Sequence, residues 1–150
     1  MKRILYFLLI IVLSPIVHAQ NISTIAGTVA SGYSGDGGAA TSAQLFHPKN
    51  TAVDDTGNVY IADADNNVIR KVTPAGIIST FAGLPAGGFS GDGGPAAFAL
   101  MSRPDAIVID HAHNFYISDA DNQRIRKIDA SGNIHTIVGD GTASVMLILN

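Results

Sequence analysis

Four groups of residues carry side chains capable of chemistry. D-A-D-N stands at residues 63–66 and again at 119–122, and S-G-D-G-G at 34–38 and 90–94. His111 and His113 flank Ala112, and I-R-K occurs at 69–71 and 125–127. Closely spaced Asp and Asn suggest a calcium loop, which needs Gly at its sixth position and a bidentate acid at its twelfth. Val68 or Arg124 stands at the sixth position and Pro74 or Ala130 at the twelfth, so that chemistry is excluded. Asp63, Asp65 and Asn66, with Asp119, Asp121 and Asn122, are instead expected to build turns by bonding nearby backbone N–H groups. The S-G-D-G-G segments hold three glycines in five residues but have neither the following Lys-Ser/Thr nor the spacing of a phosphate-binding loop. Ser34, Asp36, Ser90 and Asp92 are the ligand-binding candidates there. The His111/His113 pair has no third ligand nearby in the sequence, and Arg70-Lys71 and Arg126-Lys127 read as strand residues with one buried cross-strand partner. No Ser-His-Asp set, nucleophilic Cys or carboxylate pair stands out, so no catalytic residue, metal ligand or cofactor is expected.

The elements that position these groups are set by repetition. Residues 22–77 align with 78–133 without a gap, and 27 of the 56 positions are identical. A third period begins at Ile134 and is lost after Gly141. Self-similarity at a fixed period signals a solenoid or propeller. Within one period, residues 51–54, 58–63, 68–72 and 77–82 are rich in β-branched and aromatic residues and separated by turn formers, which predicts a four-stranded antiparallel meander. Such a sheet cannot bury both faces alone, whereas radially stacked sheets can. The long connections, 27–48 and 83–104, are expected to contain one or two helical turns near Pro95 and Ala96.

Composition supports a turn-rich β protein. All twelve acidic residues are Asp, which favours turns, and none is the better helix former Glu. There is no Cys, hence no disulfide framework. Lys2 and Arg3, the apolar run 4–13 and the small Ala19 read as a cleaved signal peptide, residues 1–19, that places the mature chain outside the cytoplasm, secreted or periplasmic. Without that segment seven basic residues face twelve Asp, which argues against nucleic acid and, once the signal is removed, against membrane as partners.

The elements P-x-x-x-x-V/I-D (residues 48–54 and 104–110), N-x-Y-I-x-D, I-R-K and I-x-T-x-A-G, together with the S-G-D-G-G connection, resemble the NHL repeat family, in particular secreted bacterial members. The resemblance covers residues 22–139. It implies an all-β partial β-propeller: about two four-stranded antiparallel blades plus partial blade edges, preceded by the signal helix. The repeats then occupy residues 20–141: 22–77, 78–133 and the start of a third at 134–141. It further implies that residues 22–26 form an outer strand whose own blade is missing. The family usually has Arg before I-R-K. Arg124 fits and is expected to pair across the hairpin with Asp119, whereas Val68 stands in the first copy. The turn residue Gly57 becomes His113, which is expected to carry positive φ with some strain. Residues 142–150 form an apolar tail that departs from the repeat, and the chain is expected to be a truncated or frameshifted copy.

The function expected from this reading is non-catalytic binding or scaffolding of a protein, peptide or glycan through rim loops. Self-association through open blade edges is a further expectation. The alternatives are part of a metal-dependent propeller lyase or lactone hydrolase, and a product without independent function.

Overall fold

In the computed structural model the described residues are 21–142; the expected signal segment and tail residues 143–150 lie outside them. The described residues hold eight strands, joined by short turns within each sheet and by one long connection between sheets: β1 (Pro48–Val53), β2 (Val59–Asp63), β3 (Val68–Val72), β4 (Ile78–Ala82), β5 (Pro104–Ile109), β6 (Phe115–Asp119), β7 (Arg124–Ile128) and β8 (Ile134–Val138). They form two four-stranded antiparallel sheets in the orders β1-β2-β3-β4 and β5-β6-β7-β8. Each sheet is one blade, and the fold is all-β, as the alternation of strand-forming runs and turn clusters dictates.

The hairpins follow from local chemistry. Between β2 and β3 the chain makes one 3₁₀ turn, Ala64–Asn66, and leaves it through Asn67 at φ 60°. Gln123 occupies the matching place at φ 53°. Between β1 and β2, Asp54 Oδ1 accepts the amides of Thr56 (3.0 Å) and Asn58 (2.8 Å), and Asp110 does the same for Ala112 and Asn114. Gly57 takes φ 82° and His113 takes 59° in the equivalent position. A non-Gly residue there carries strain of about 1 kcal/mol or more.

The blades meet face to face. Tyr60, Ala62, Ile69 and Ala82 of the first pack on Ile107, Phe115, Ile117, Ile128 and Ile134 of the second. Ala96, Ala99 and Met101, from the connection between the blades, fill the same core. At its edge the rings of Tyr60, Phe81 and Phe115 lie 4.7–4.9 Å apart in tilted or edge-on pairs, each worth about 0.5–1.5 kcal/mol beyond its buried area. The other face of the first blade is covered by the chain that precedes it: Ala40, Ala43 and Leu45 against Ile61, Val72 and Ile78.

The structure departs from the sequence expectation in three places. β1 and β5 begin earlier, at the prolines, because a bulge between Pro48 and Thr51, repeated between Pro104 and Ala106, lets pairing continue past an irregular step. The helical turns in the connections are single 3₁₀ turns, Ala40–Ser42 and Ala96–Phe98, and the first forms without a proline. Residues 22–26 form no strand, and Ile22 is wholly exposed. Their sequence matches β4 at four of five positions, but a strand needs a ladder partner, and the partner would be a β3 one period earlier.

Candidate functional site

The D-A-D-N turn, the S-G-D-G-G loop and the Arg of I-R-K come together in each blade. Arg70 is completely buried. Its Nη2 donates to Asp36 Oδ1 (2.6 Å) and to the Ser34 carbonyl (3.0 Å), and its Nη1 to Asp63 Oδ2 and the Gln44 carbonyl (both 3.4 Å). Asp63 also accepts the Phe46 amide (2.7 Å) and the side-chain amide of Asn66 (2.8 Å). That same Asn66 amide reaches the Gly32 carbonyl at 2.7 Å. The second blade repeats the set. Arg126 donates to Asp92 Oδ1 (2.7 Å), Asp119 Oδ2 (3.1 Å) and the carbonyls of Ser90 (3.0 Å) and Leu100 (3.2 Å). A guanidinium is suited to this task because its fixed fork serves several oxygens at once. Burial pushes the Asp63 carboxyl up, against the pull of Asn66, the Phe46 amide and Arg70.

Each ligand-binding candidate therefore has an internal role. Asp36 and Asp92 hold the loop to the arginine with one oxygen each and remain about two-fifths exposed. Ser34 Oγ accepts the Gln44 amide at 3.2 Å, and Ser90 contributes its carbonyl. What the loops leave at the surface are the rings of Tyr33 and Phe89, partly exposed, with the buried guanidiniums 5.0 and 4.8 Å from their centroids. Each anchored loop thus keeps its ring about two-fifths exposed with a guanidinium packed against it.

One expected pair is corrected. Asp119 and Arg124 are direct partners in the ladder, yet their side chains do not bond. Asp119 is filled by the Ser102 amide, Asn122 and Arg126. Arg124 instead donates to the carbonyls of Asn122 (2.8 Å) and Asp140 (2.5 Å) and lies 3.8 Å from the centroid of Phe89. The fully buried Arg126 has no water to fall back on and takes the carboxylate. The Val68 replacement in the first copy thus removes no ion pair. The buried arginine is also the residue that sequence reasoning placed least well. Its signal was the pairing of I-R-K with an Asp in every S-G-D-G-G loop, 34 residues earlier.

A second constellation lies between the C-terminal ends of β1 and β5, where Val53, Asp54, Asp55, Ile109, Asp110, His111 and His113 line a cleft of about 220 Å³. His113 Nε2 and Asp55 Oδ2 approach to 3.6 Å across the blades. Burial works against ionisation of Asp54, but the Asn58 and Thr56 side chains and amides outweigh it and hold the carboxyl far below its ordinary value. Asp110 is held at about 2, first by the Asn114 side chain and amide. Tyr60, buried and bonded to Asp54 at 3.2 Å, is pushed up to about 12 by that burial and by the nearby negative charge. Both carboxylates are thus spent on turn formation and ready for neither acid nor base work. Among the described residues no group of three His, Cys, Asp or Glu side chains is placed to hold a metal.

A third set bridges the blades on another side. Asp65 binds its own blade's His47 (2.5 Å) and the next blade's Arg103 (3.3 Å), and its carboxyl is lowered, first by the His47 hydrogen bond. Asp121, its counterpart, has Arg103 at 3.9 Å. These two aspartates therefore join or flank blades, a role separate from the turn itself.

Comparison with known proteins agrees with the geometry. The sequence profile of the Teneurin NHL domain matches residues 18–87. Human Teneurin-4 is 38% identical over 90 residues, 51% of this chain and 3% of that protein. Zebrafish Teneurin-3 is 44% identical over 70 residues, 43% of this chain and 2% of that one. The chain thus spans only a few hundredths of the length of these relatives. Two solved structures of auxiliary nutrient binding proteins superpose more broadly. The one from Bacteroides thetaiotaomicron has a TM-score of 0.57 at 26% identity, over 75% of this chain and 28% of that one. The one from Bacteroides ovatus has 0.55 at 27%, over 76% and 28%. With two copies of one 56-residue period folded as two four-stranded blades, the chain carries NHL-type repeats with the β-propeller fold, similar to those of these proteins.

Proposed function

We propose that the chain is an exported, non-catalytic binding module that engages a protein, peptide or glycan ligand through its glycine-rich rim loops. The observation that carries this reading is the pinned loop. A buried arginine ties residues 34–36 and 90–92 to the strands beneath, and each loop holds up an aromatic ring, Tyr33 or Phe89. Rigid loops bind without an ordering cost, and aromatic rings supply large contact area at low entropic cost. Likeness to the two Bacteroides auxiliary nutrient binding proteins supports the same reading. Export rests on Lys2, Arg3 and the apolar run 4–13.

The test is a heteronuclear NMR titration of the purified protein with a panel of oligosaccharides and peptides. Binding should shift the amides of residues 32–38 and 88–94, and Tyr33→Ala with Phe89→Ala should abolish those shifts. Shifts confined to the cleft lined by Asp55, His111 and His113, or conversion of the added compound to a product, would overturn the reading.

A further inference from the structure

The open faces of the two blades repeat with the sequence. The face of the first blade that meets the second carries Ala52, Tyr60, Ile69 and Phe81. Their counterparts 56 residues later are Val108, Tyr116, Ile125 and Ile137. That face of the second blade has no covering blade among the described residues: Val108 is 58% exposed and Ile137 46%. The receiving half of the joint is repeated as well. Ile107 of the second blade is buried against the first, and its counterpart Thr51 stands exposed on the outer side of the first blade. The described residues therefore contain one complete blade-to-blade joint and display both halves of another.

We propose that the open face of the second blade docks the first blade of a second copy of this chain, head to tail, in the geometry that joins the two blades within one chain. The polar groups of the joint repeat with the apolar ones. Inside the chain Asp65 takes Arg103 at 3.3 Å, and Asn67 Oδ1 accepts the Arg103 amide at 3.0 Å. Across the new joint Asp121 and Gln123 stand in those places and His47 in that of Arg103. His47 is 69% exposed in its side chain, so the copy brings a basic group to a partly exposed aspartate. One bond has no counterpart: Asn50 Oδ1 accepts the Ile107 amide at 3.0 Å, and Ala106 follows Asn50 by one period. The joint between copies is therefore weaker than the joint within a chain.

Residues 22–27 of the incoming copy lie where β8 of the first copy must go. Their Gly27 amide bonds the Ala40 carbonyl at 2.9 Å, as the Gly83 amide bonds Ala96 at 3.0 Å. They form no ladder, so docking exchanges an unpaired stretch for a paired strand. The contact is heterologous, with two different surfaces, and each added copy leaves both surfaces available at the ends.

Sedimentation velocity on the purified chain and on two single variants tests the arrangement. V108K disables only the second-blade face and T51K only the first-blade face; both sites are exposed. The wild-type mass should rise with concentration, and each variant alone should stay monomeric. An equimolar mixture of the two should form a dimer and nothing longer, because one unmodified pair of faces remains. Should V108K not fold by circular dichroism, D121R at the exposed turn replaces it. A wild-type chain that stays monomeric at every concentration, a mixture that stays monomeric, or association that survives both variants would overturn the proposal.

Discussion

Arg126 and Arg70 do more for this chain than any exposed residue. Each is wholly buried and shared between two carboxylates. Removing one leaves a buried Asp without its counter-ion, a loss of about 3–5 kcal/mol. R126M should therefore lower the free energy of unfolding by that amount in urea titration. R126K should recover little of it, since one ammonium cannot reach Asp92, Asp119 and two carbonyls together. The turn aspartates make a second residue-scale prediction. Asp110 is held at about 2 against an ordinary 3.8. A carboxyl lowered in the folded state contributes stability above the unfolded value and loses it as pH falls through the folded one. Melting temperature should therefore decline between about pH 4 and pH 2, and D110N should flatten that decline. These residue roles were only half legible in the sequence. D-A-D-N announced a turn by its composition. I-R-K read as strand residues with one buried cross-strand partner, but a strand pattern does not point to the second carboxylate, which comes from a loop 34 residues earlier.

At the scale of elements, strand order and hairpin register were readable, because turn formers punctuate β-branched runs at fixed intervals. The edges were not. Proline usually opens or interrupts a strand, and only the bulges at β1 and β5 let pairing resume beyond it. Residues 22–26 show the limit of pattern reading, since a strand sequence without a neighbouring strand stays unpaired. His113 offers a test at this scale. It holds φ 59° in a turn where the first blade uses Gly57. H113G should stabilise the chain by up to about 1 kcal/mol, the relief of left-handed strain less the added freedom of the unfolded chain. H113V, with a branched Cβ in the same conformation, should destabilise it. Thermal melts of the three proteins check both signs.

At the scale of the whole molecule, the two blades share one apolar core, and among the described residues a copy of its faces is open. If that open face is satisfied by association, apparent stability follows protein concentration by mass action. The melting temperature should rise as concentration rises, and the double variant T51K/V108K should show no such dependence. The repeat made this readable at the level of architecture, since matched faces follow from matched sequence. It did not reveal that each connecting loop belongs to the blade after it. That was visible only once Arg70 was seen to hold Ser34 and Asp36, and Arg126 to hold Ser90 and Asp92.

That ownership redraws the unit of construction. The clamp binds each loop to the strands that follow it, so the self-contained module runs from Gly27 to Ala82, and its copy from Gly83 to Val138. A cut at Gly83 breaks neither arginine network. A gene segment encoding 56 residues could be copied in or dropped out at that glycine, and every buried charge would still find its partner within its own copy. Blade number in such a chain can therefore change by whole steps, without passing through an intermediate that carries an orphaned arginine.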